Sequence, residues 1–467
     1  MNDQETKAGV ATRSAVEELE HPRDTPPNQS LIGVPEPSPQ APTEAADTDI
    51  ASMERRGFLR RGAAVAGMAL TGGLGGLSVA QASSKLAIPE SMKRLGDPIS
   101  ETSYGKPISF EDHVVRRRSD VVVNRQNWSD WSMTPLQNQV GTITPNGLFF
   151  ERHHAGIARI DPAEHRLAIH GLVERPLVFT MDELMRFPSV SRFHFMECSG
   201  NGLTDWDEAG SKTVQQSHGL LSSCQWTGIP FSVLLNEAGV KPEGKWVVLE
   251  GGDASGHLRS IPMEKIMDDA IVAYGQNGEM LRAEQGYPIR AFLPGWEGNT
   301  CVKWLRRIEV VDDAQHIRGE TARYTDPMPG GKWRQFSMEM ECKSVITYPS
   351  GGMRLNGAGY YQIRGFAWSG NGKITHVDVT FDGGVTWHEA KVEGPVLDKN
   401  LTRFTLDWKW DGRPVTMASR AVDDTGYVQP TTQQLAEQRE IVGFVQHHNG
   451  VFPWIINEHG EVRNGIA

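Results

Sequence analysis

Cysteine is scarce in this chain, with four in 467 residues (Cys198, Cys224, Cys301 and Cys342), and no two form a Cys-x-x-Cys pair or a Cys-x-x-Cys-His motif. That spacing excludes a covalently attached c-type haem in this chain and offers no zinc-ribbon site. Positive charge is also short: 47 Lys and Arg face 58 Asp and Glu, a net charge of -11. Phosphate binding needs a basic face, so nucleic acid is not expected as a partner. Long apolar runs are lacking as well. The one candidate, Gly62 to Val79, is broken by glycine and alanine and barely reaches the span of a membrane helix. What remains is the composition of a soluble protein, on a chain long enough that two domains and tails are the natural expectation.

Residues 1–52 are rich in Pro, Glu, Asp, Ala and Thr. They cannot bury enough apolar surface to offset the entropy of ordering, and read as a disordered leader. Residues 53–82 carry Arg55-Arg56-Gly57-Phe58-Leu59, the glycine-rich apolar run and Ala80-Gln81-Ala82, which reads as a twin-arginine export signal with a small-x-small cleavage site. The expectation is a periplasmic protein with no membrane span once mature. Because that route carries folded proteins, the thiols are expected to stay free, ahead of a bridge such as Cys224 with Cys342. Residues 83–148, with Arg116-Arg117-Arg118 and Trp128 and Trp131, read as an arm wrapping the domain that begins at Phe149.

Residues 149–333 alternate short strands (Arg166 to His170, Trp246 to Glu250, Ile289 to Phe292, Ile308 to Val311) with helical pieces. Thr180 and Glu183 have capping-box spacing, and Pro262 precedes a second short helix. Mixed α+β structure is expected. After the Pro/Gly-rich bridge from Pro327 to Trp333 the pattern changes. Val377, Val379 and Phe381 alternate with polar residues before Gly383-Gly384, which predicts a hairpin. Runs at 361–368, 404–408 and 415–422 come at similarly short spacing, so residues 334–467 read as an immunoglobulin-like β-sandwich.

The chemistry-bearing stretches fall in both regions. Arg192 to Glu197 alternate as a half-buried strand, and Cys198 stands where Ser199-Gly200-Asn201-Gly202 turn the chain. A thiol so placed suits a ligand or a nucleophile, although a buried structural cysteine would look the same. Phe149-Phe150-Glu151-Arg152-His153-His154 offers a cation and two imidazoles; strand alternation would aim at most one of the two into any one site. Three further stretches are the apolar run from Ile271 to Tyr274, Gly286 to Arg290 with Val302-Lys303-Trp304, and Ala367-Trp368-Ser369-Gly370 to Lys373.

Together and in this order, these motifs resemble the sulfite oxidase family of molybdenum enzymes. The resemblance implies a molybdopterin-binding domain followed by an immunoglobulin-like dimerisation domain, a molybdenum-molybdopterin cofactor, and Cys198 as the protein's one ligand to the metal. It also implies Arg152, His154 and Tyr274 as catalytic residues, with Arg152 stabilising charge on substrate oxygens, Tyr274 assisting proton transfer and His154 orienting them. Arg290, Lys303 and His218 would contact the cofactor. A thiolate is a soft ligand suited to such a metal, and the cations suit the pterin phosphate.

The chain departs from the sulfite-oxidising members where they place arginines after the cysteine motif: here stand Gly202 and Leu203. Gln216 takes the place of a tryptophan, and Lys373, at the substrate entrance, replaces an arginine. A less cationic mouth resembles the sulfane-dehydrogenase branch of the family, which implies a sulfane sulfur held on a carrier protein, a separate c-type cytochrome subunit as electron acceptor, and a homodimer of this subunit within an α2β2 complex. The rival expectations are a sulfite dehydrogenase acting on free sulfite, a methionine-sulfoxide reductase, which the C-terminal sandwich argues against, and a cofactor-free periplasmic binding or assembly protein.

Overall fold

A computed structural model of the chain describes residues 107–118, 129–203, 205, 210, 212–317, 324–335, 337–440 and 447–465. The leader, the export signal and the N-terminal half of the arm, with Trp128, lie outside the described residues. Among those described, no helix is long and apolar enough to cross a membrane.

Two five-stranded sheets form the α+β part. One runs in the order Glu279–Met280, Ile271–Gln276, Leu221–Pro230, Val190–Glu197, with Arg290–Phe292 paired to Ile271–Gln276 as a branch. The other runs Leu177–Phe179, Leu167–Gly171, Leu305–Val311, Trp246–Gly251, Leu258–Pro262, and its 167–171 and 305–311 strands lie parallel. The expected strands are all present, and that ending at Val311 begins at Leu305. Ile271, Val272 and Ala273 are buried in succession, because a strand covered on both faces has no reason to alternate.

Local signals placed the helices. Thr180 accepts the Glu183 amide at 3.2 Å and Glu183 accepts the Thr180 amide at 2.8 Å, closing the capping box on the single turn Met181–Leu184. Pro262 opens the helix Met263–Asp268. Phe231–Ala238 buries Phe231, Leu234, Leu235 and Ala238 at helical spacing and ends on Gly239 at φ 70°, where a left-handed residue without a Cβ closes the last turn.

The C-terminal part is a sandwich of two sheets. Lys343–Tyr348, Gly359–Trp368, Thr402–Trp410 and Lys391–Glu393 form one; His388–Glu389, Ile374–Thr380, Val415–Asp423, Trp454–Ile456 and Val462–Asn464 form the other. The hairpin at Gly383-Gly384 is present, pairing Asp378 with Glu389. Its loop is longer than two residues and is organised by Asp382, whose carboxylate accepts the Thr386 amide at 2.9 Å. The helix Thr432–Arg439 was not expected, since only Thr432, Leu435 and Arg439 are buried along it.

Each part has its own apolar cluster, and a few residues of the first join that of the second. Phe195, Val214 and Leu221 pack in the same apolar cluster as Trp368, Phe366 and Trp454. A Cβ on Gly295 would stand 2.3 Å from the Gly370 carbonyl oxygen, so the backbones meet there directly. Trp368 Nε1 donates to Glu197 Oε2 at 2.6 Å, with both residues fully buried. Trp368→Phe removes the donor and leaves a cavity, and should lower unfolding free energy by about 1–3 kcal/mol from the stranded acceptor plus a cavity cost, read as a shifted urea midpoint with an unchanged m-value.

Candidate active site

The strand Val190–Glu197 delivers Cys198 to the edge of a cavity of about 680 Å³. The Cys198 amide donates to the Leu220 carbonyl at 3.0 Å, and the Asn201 amide returns to the Cys198 carbonyl at 2.9 Å. Asn201 then fixes the turn with its side chain, donating to Glu197 Oε1 at 2.9 Å and accepting the Leu220 amide at 3.1 Å. From the opposite side, Gly298 packs on the same backbone: a Cβ there would lie 2.7 Å from the Glu197 carbonyl oxygen and 3.4 Å from Cys198 Cα. All four cysteines are free. Burial pushes the Cys198 thiol up, against the nearby Gly200 amide and Arg152. Such a thiol stays protonated by itself and is held as a thiolate by a metal.

Arg152, His154, Arg290 and Lys303 also line the cavity. Arg152 ends the short strand Glu151–Arg152, pairs with Trp131 across the ladder and lies over its ring at 5.3 Å. Its guanidinium donates to the His153 carbonyl. Because that strand stops at Arg152, alternation does not govern the histidines, and both line the cavity, contrary to expectation. His154 stacks on His257 at 5.8 Å, while His153 bonds Glu151 Oε2 at 2.8 Å and Lys303 Nζ at 2.9 Å. Lys303 is brought close by Gly286, φ 105°, where a Cβ would be 3.0 Å from Lys303 Cβ. Burial holds its ammonium well below the usual lysine range, with Arg290 adding to the effect.

Arg290 braces the cavity floor. Its fork donates to the Gln285 and Cys301 carbonyls at 3.0 and 2.8 Å, and its Nε is buried without a hydrogen-bond partner.

Three expected residues stand elsewhere. Tyr274 lies mid-strand, half-buried against the apolar core, and not in the cavity wall. The strand runs on to Gln276 and turns at Asn277-Gly278, so the tyrosine is not at a strand end. The tyrosine in the wall is Tyr324, which no local pattern marked. Arg259 packs over its ring at 4.8 Å, and burial pushes its phenol up to about 12, keeping it a proton donor. His218 is fully buried behind the wall, with Nδ1 2.9 Å from Ser217 Oγ and Nε2 3.2 Å from Asp205 Oδ2. Lys373 is exposed on the sandwich and outside the wall. Lys212 and Gln216 are in the wall instead, so the cavity keeps a cation that the motifs did not show. Asp253, His257 and Asn299 are further wall residues the motifs did not show, and Asn299 ties Ser199 to Glu297 at 2.9 Å each.

Among the described residues no group of three His, Cys, Asp or Glu could hold a metal unaided. The set present is one soft sulfur at the rim of a deep cavity, a half-buried lysine and a buried arginine for an anion, and amide and imidazole donors. That set fits a cofactor which brings its own sulfur ligands and a phosphate: Cys198 would hold the metal and Lys303 and the free Nε of Arg290 the anionic tail.

Fold and site together define a molybdopterin-binding oxidoreductase. The model of the oxidoreductase molybdopterin binding domain matches residues 154–317, and that of the Mo-co oxidoreductase dimerisation domain matches 334–449. The chain is 30% identical over 320 residues to mouse mitochondrial sulfite oxidase, covering 62% of this chain and 58% of that protein. It is 30% identical over 306 residues to the NADH nitrate reductase of Ulva prolifera, covering 58% and 34%. The chain thus spans about 58% of the length of its sulfite oxidase relative. Among solved structures, the sulfane dehydrogenase SoxCD from Paracoccus pantotrophus is similar at a TM-score of 0.79 and 47% identity, covering 81% of this chain and 97% of that one. The chain belongs to the sulfite oxidase family, with a molybdenum-molybdopterin cofactor.

Glu151 provides a pH test of the site. Burial opposes its ionisation, but the His153 hydrogen bond and the Arg116 charge prevail and lower it from 4.5 to about 2. Its contribution to stability is therefore complete above pH 4.5 and is lost as pH falls toward 2. Glu151→Gln should flatten that part of the acid-unfolding profile, measured by circular dichroism, and leave the profile above pH 5 parallel to wild type.

Proposed function

We propose that this protein oxidises a sulfane sulfur carried on the cysteine of a partner protein, and passes the electrons to a separate c-type cytochrome subunit. It would work as a homodimer within an α2β2 complex in the periplasm, reached through the twin-arginine segment at 53–82.

The observation that carries this reading is the turn after Cys198. Gly202 has φ 83°, and a Cβ there would stand 2.7 Å from both Asp205 Oδ2 and Lys343 Nζ. A side chain at this position has neither the backbone conformation nor the room it needs. The next residue is Leu203, whose Cδ1 lies 3.2 Å from the point a Gly200 Cβ would occupy, with Cys198 Sγ 3.8 Å from the same point. The wall beside the thiol is thus apolar where a free dianion would want a guanidinium, and suits a low-charge sulfur on an extended arm. Similarity to a sulfane dehydrogenase at 47% identity supports the same substrate class.

When bound, the cofactor supplies two-electron oxygen-atom transfer. The chain's part is to bind, orient and move protons. Cys198 anchors the metal, and Lys303 and Arg290 hold the anionic tail. Arg152, fixed by the His153 carbonyl and the Trp131 ring, stabilises negative charge gathering on the substrate's oxygens. Tyr324, protonated at neutral pH, donates a hydrogen bond or a proton into the cavity, in the role expected of Tyr274. His154, stacked on His257, sets one side of the cavity.

Oxidation of free sulfite is the second reading, favoured by the two cations Lys212 and Arg152 in the cavity wall. Assay of the purified complex with free sulfite and with carrier-bound sulfane sulfur separates the two, and a strong preference for sulfite defeats the proposal. Protein made in a cofactor-competent host but devoid of molybdenum would favour a binding role. Cys198→Ser should fold, lose the metal by elemental analysis and lose turnover. Tyr324→Phe should lower kcat by about 10²-fold with the metal retained, whereas Tyr274→Phe should stay near wild type.

A further inference from the structure

Behind the cavity wall, four ionisable side chains meet away from solvent. Asp205 Oδ2 lies 3.2 Å from His218 Nε2, 3.3 Å from His448 Nδ1 and 3.7 Å from Lys343 Nζ, and none of the four is more than 1% exposed. Lys343 also donates to the His448 carbonyl at 2.5 Å. The charges acting on the His448 ring are those of Asp205, Lys343 and His218, and the ring of Phe452 stands edge-on to His218 at 4.8 Å.

An ion pair alone would need only Asp205 and Lys343. Two imidazoles placed on one carboxylate oxygen add something a buried pair lacks, since each ring can take a proton on one nitrogen while releasing one from the other. The cluster meets the cavity wall at one end and the start of the helix Thr432–Arg439 at the other, and its far end is buried. Ser217 lines the cavity, and its Oγ is 2.9 Å from His218 Nδ1. At the far end, His448 Cε1, His448 Nε2 and Thr432 Oγ1 all lie within 3.2 Å of where a Gly450 Cβ would stand. Thr432 begins the helix Thr432–Arg439, whose Gln433 and Gln434 are exposed.

We propose that Ser217, His218, Asp205 and His448 form a proton relay between the cavity and the solvent side of that helix. The inference rests on the proposed oxidation with water. Each oxygen atom moved from water to sulfur (S + H2O → SO + 2H⁺ + 2e⁻) leaves two protons in the cavity, whose mouth the carrier arm occupies, while the electrons leave to a one-electron carrier protein. A cavity proton reaches Ser217 Oγ, whose own proton passes to His218 Nδ1. His218 Nε2 gives its proton toward Asp205, which hands it to His448 Nδ1, and His448 Nε2 releases one toward Thr432. Although burial opposes it, His218, then His448 and Lys343, hold the Asp205 carboxyl well below the usual carboxylate range, so the proton is passed on and not retained. Ser217 lines the cavity, while His218, Asp205 and His448 stand behind its wall as relay residues.

The test uses the molybdenum-loaded complex without substrate. Its cofactor is reduced and reoxidised chemically in weak buffer, and an indicator dye follows the protons exchanged with solvent. His218→Gln and His448→Gln should each slow proton exchange by about tenfold with the metal content unchanged. In turnover, the same variants should lower kcat at constant KM and raise the solvent deuterium effect. Imidazole should restore part of the rate to His218→Gly and none to the wild type. A folded His218→Gln with wild-type proton exchange overturns the relay, as does loss of turnover in His218→Gly that imidazole cannot restore. If the histidine variants do not fold, Ser217→Ala decides the matter: the relay requires slower exchange, and an unchanged rate overturns it. Chemical reduction needs no substrate, so failure of the sulfane reading leaves this result intact, and a failed relay leaves substrate preference untouched.

Discussion

The side chain of Asn201 is the constraint on which the site depends. By accepting the Leu220 amide and donating to Glu197, it converts the last rung of a sheet into a rigid turn, and the turn sets where the Cys198 sulfur points. Every other wall element is referred to this one. Gly298 and Asn299 press on it from one side, Glu197 ties it to Trp368 of the sandwich, and Gly202 sets how far the chain can bend before it meets Asp205 and Lys343. Buried polar groups so fully committed to one another specify a single arrangement.

Electrostatics follow from the same burial. The cavity gathers Arg152, Arg290, Lys303 and Lys212, and desolvation pulls the pKa values of Lys303 and Arg290 down, the latter to about 10. Cations crowded together in a low-dielectric wall are costly unless an anion meets them. An anionic cofactor tail and a metal-bound thiolate relieve that cost together, so loading the cofactor and settling the wall are one process.

Much of this was legible in the residues themselves. Period-two alternation, the Thr180 and Glu183 capping box and the Gly383-Gly384 turn marked their elements because local chemistry decides them. Cys198, Arg152, His154, Arg290 and Lys303 were named through the resemblance of their motifs to the family, and all five line one cavity. Tyr274 misled because a bulge between Ala273 and Gly275 and a strand running to Gln276 displace it from the expected edge, which alternation alone does not reveal. Tyr324 and His257 reach the cavity through tertiary packing, and no spacing along the chain announces that. The Asp205 cluster was invisible for the same reason: its members come from distant stretches that only the fold brings together.

The contact between Gly295 and Gly370 bears on how such chains can diverge. At this seam two backbones touch with no side chain between them, so neither position can drift alone. Each part of the molecule therefore constrains the sequence history of the other. A sandwich borrowed from a relative would have to arrive with its own facing loop, which makes the cofactor-binding half and the pairing half a single unit of inheritance.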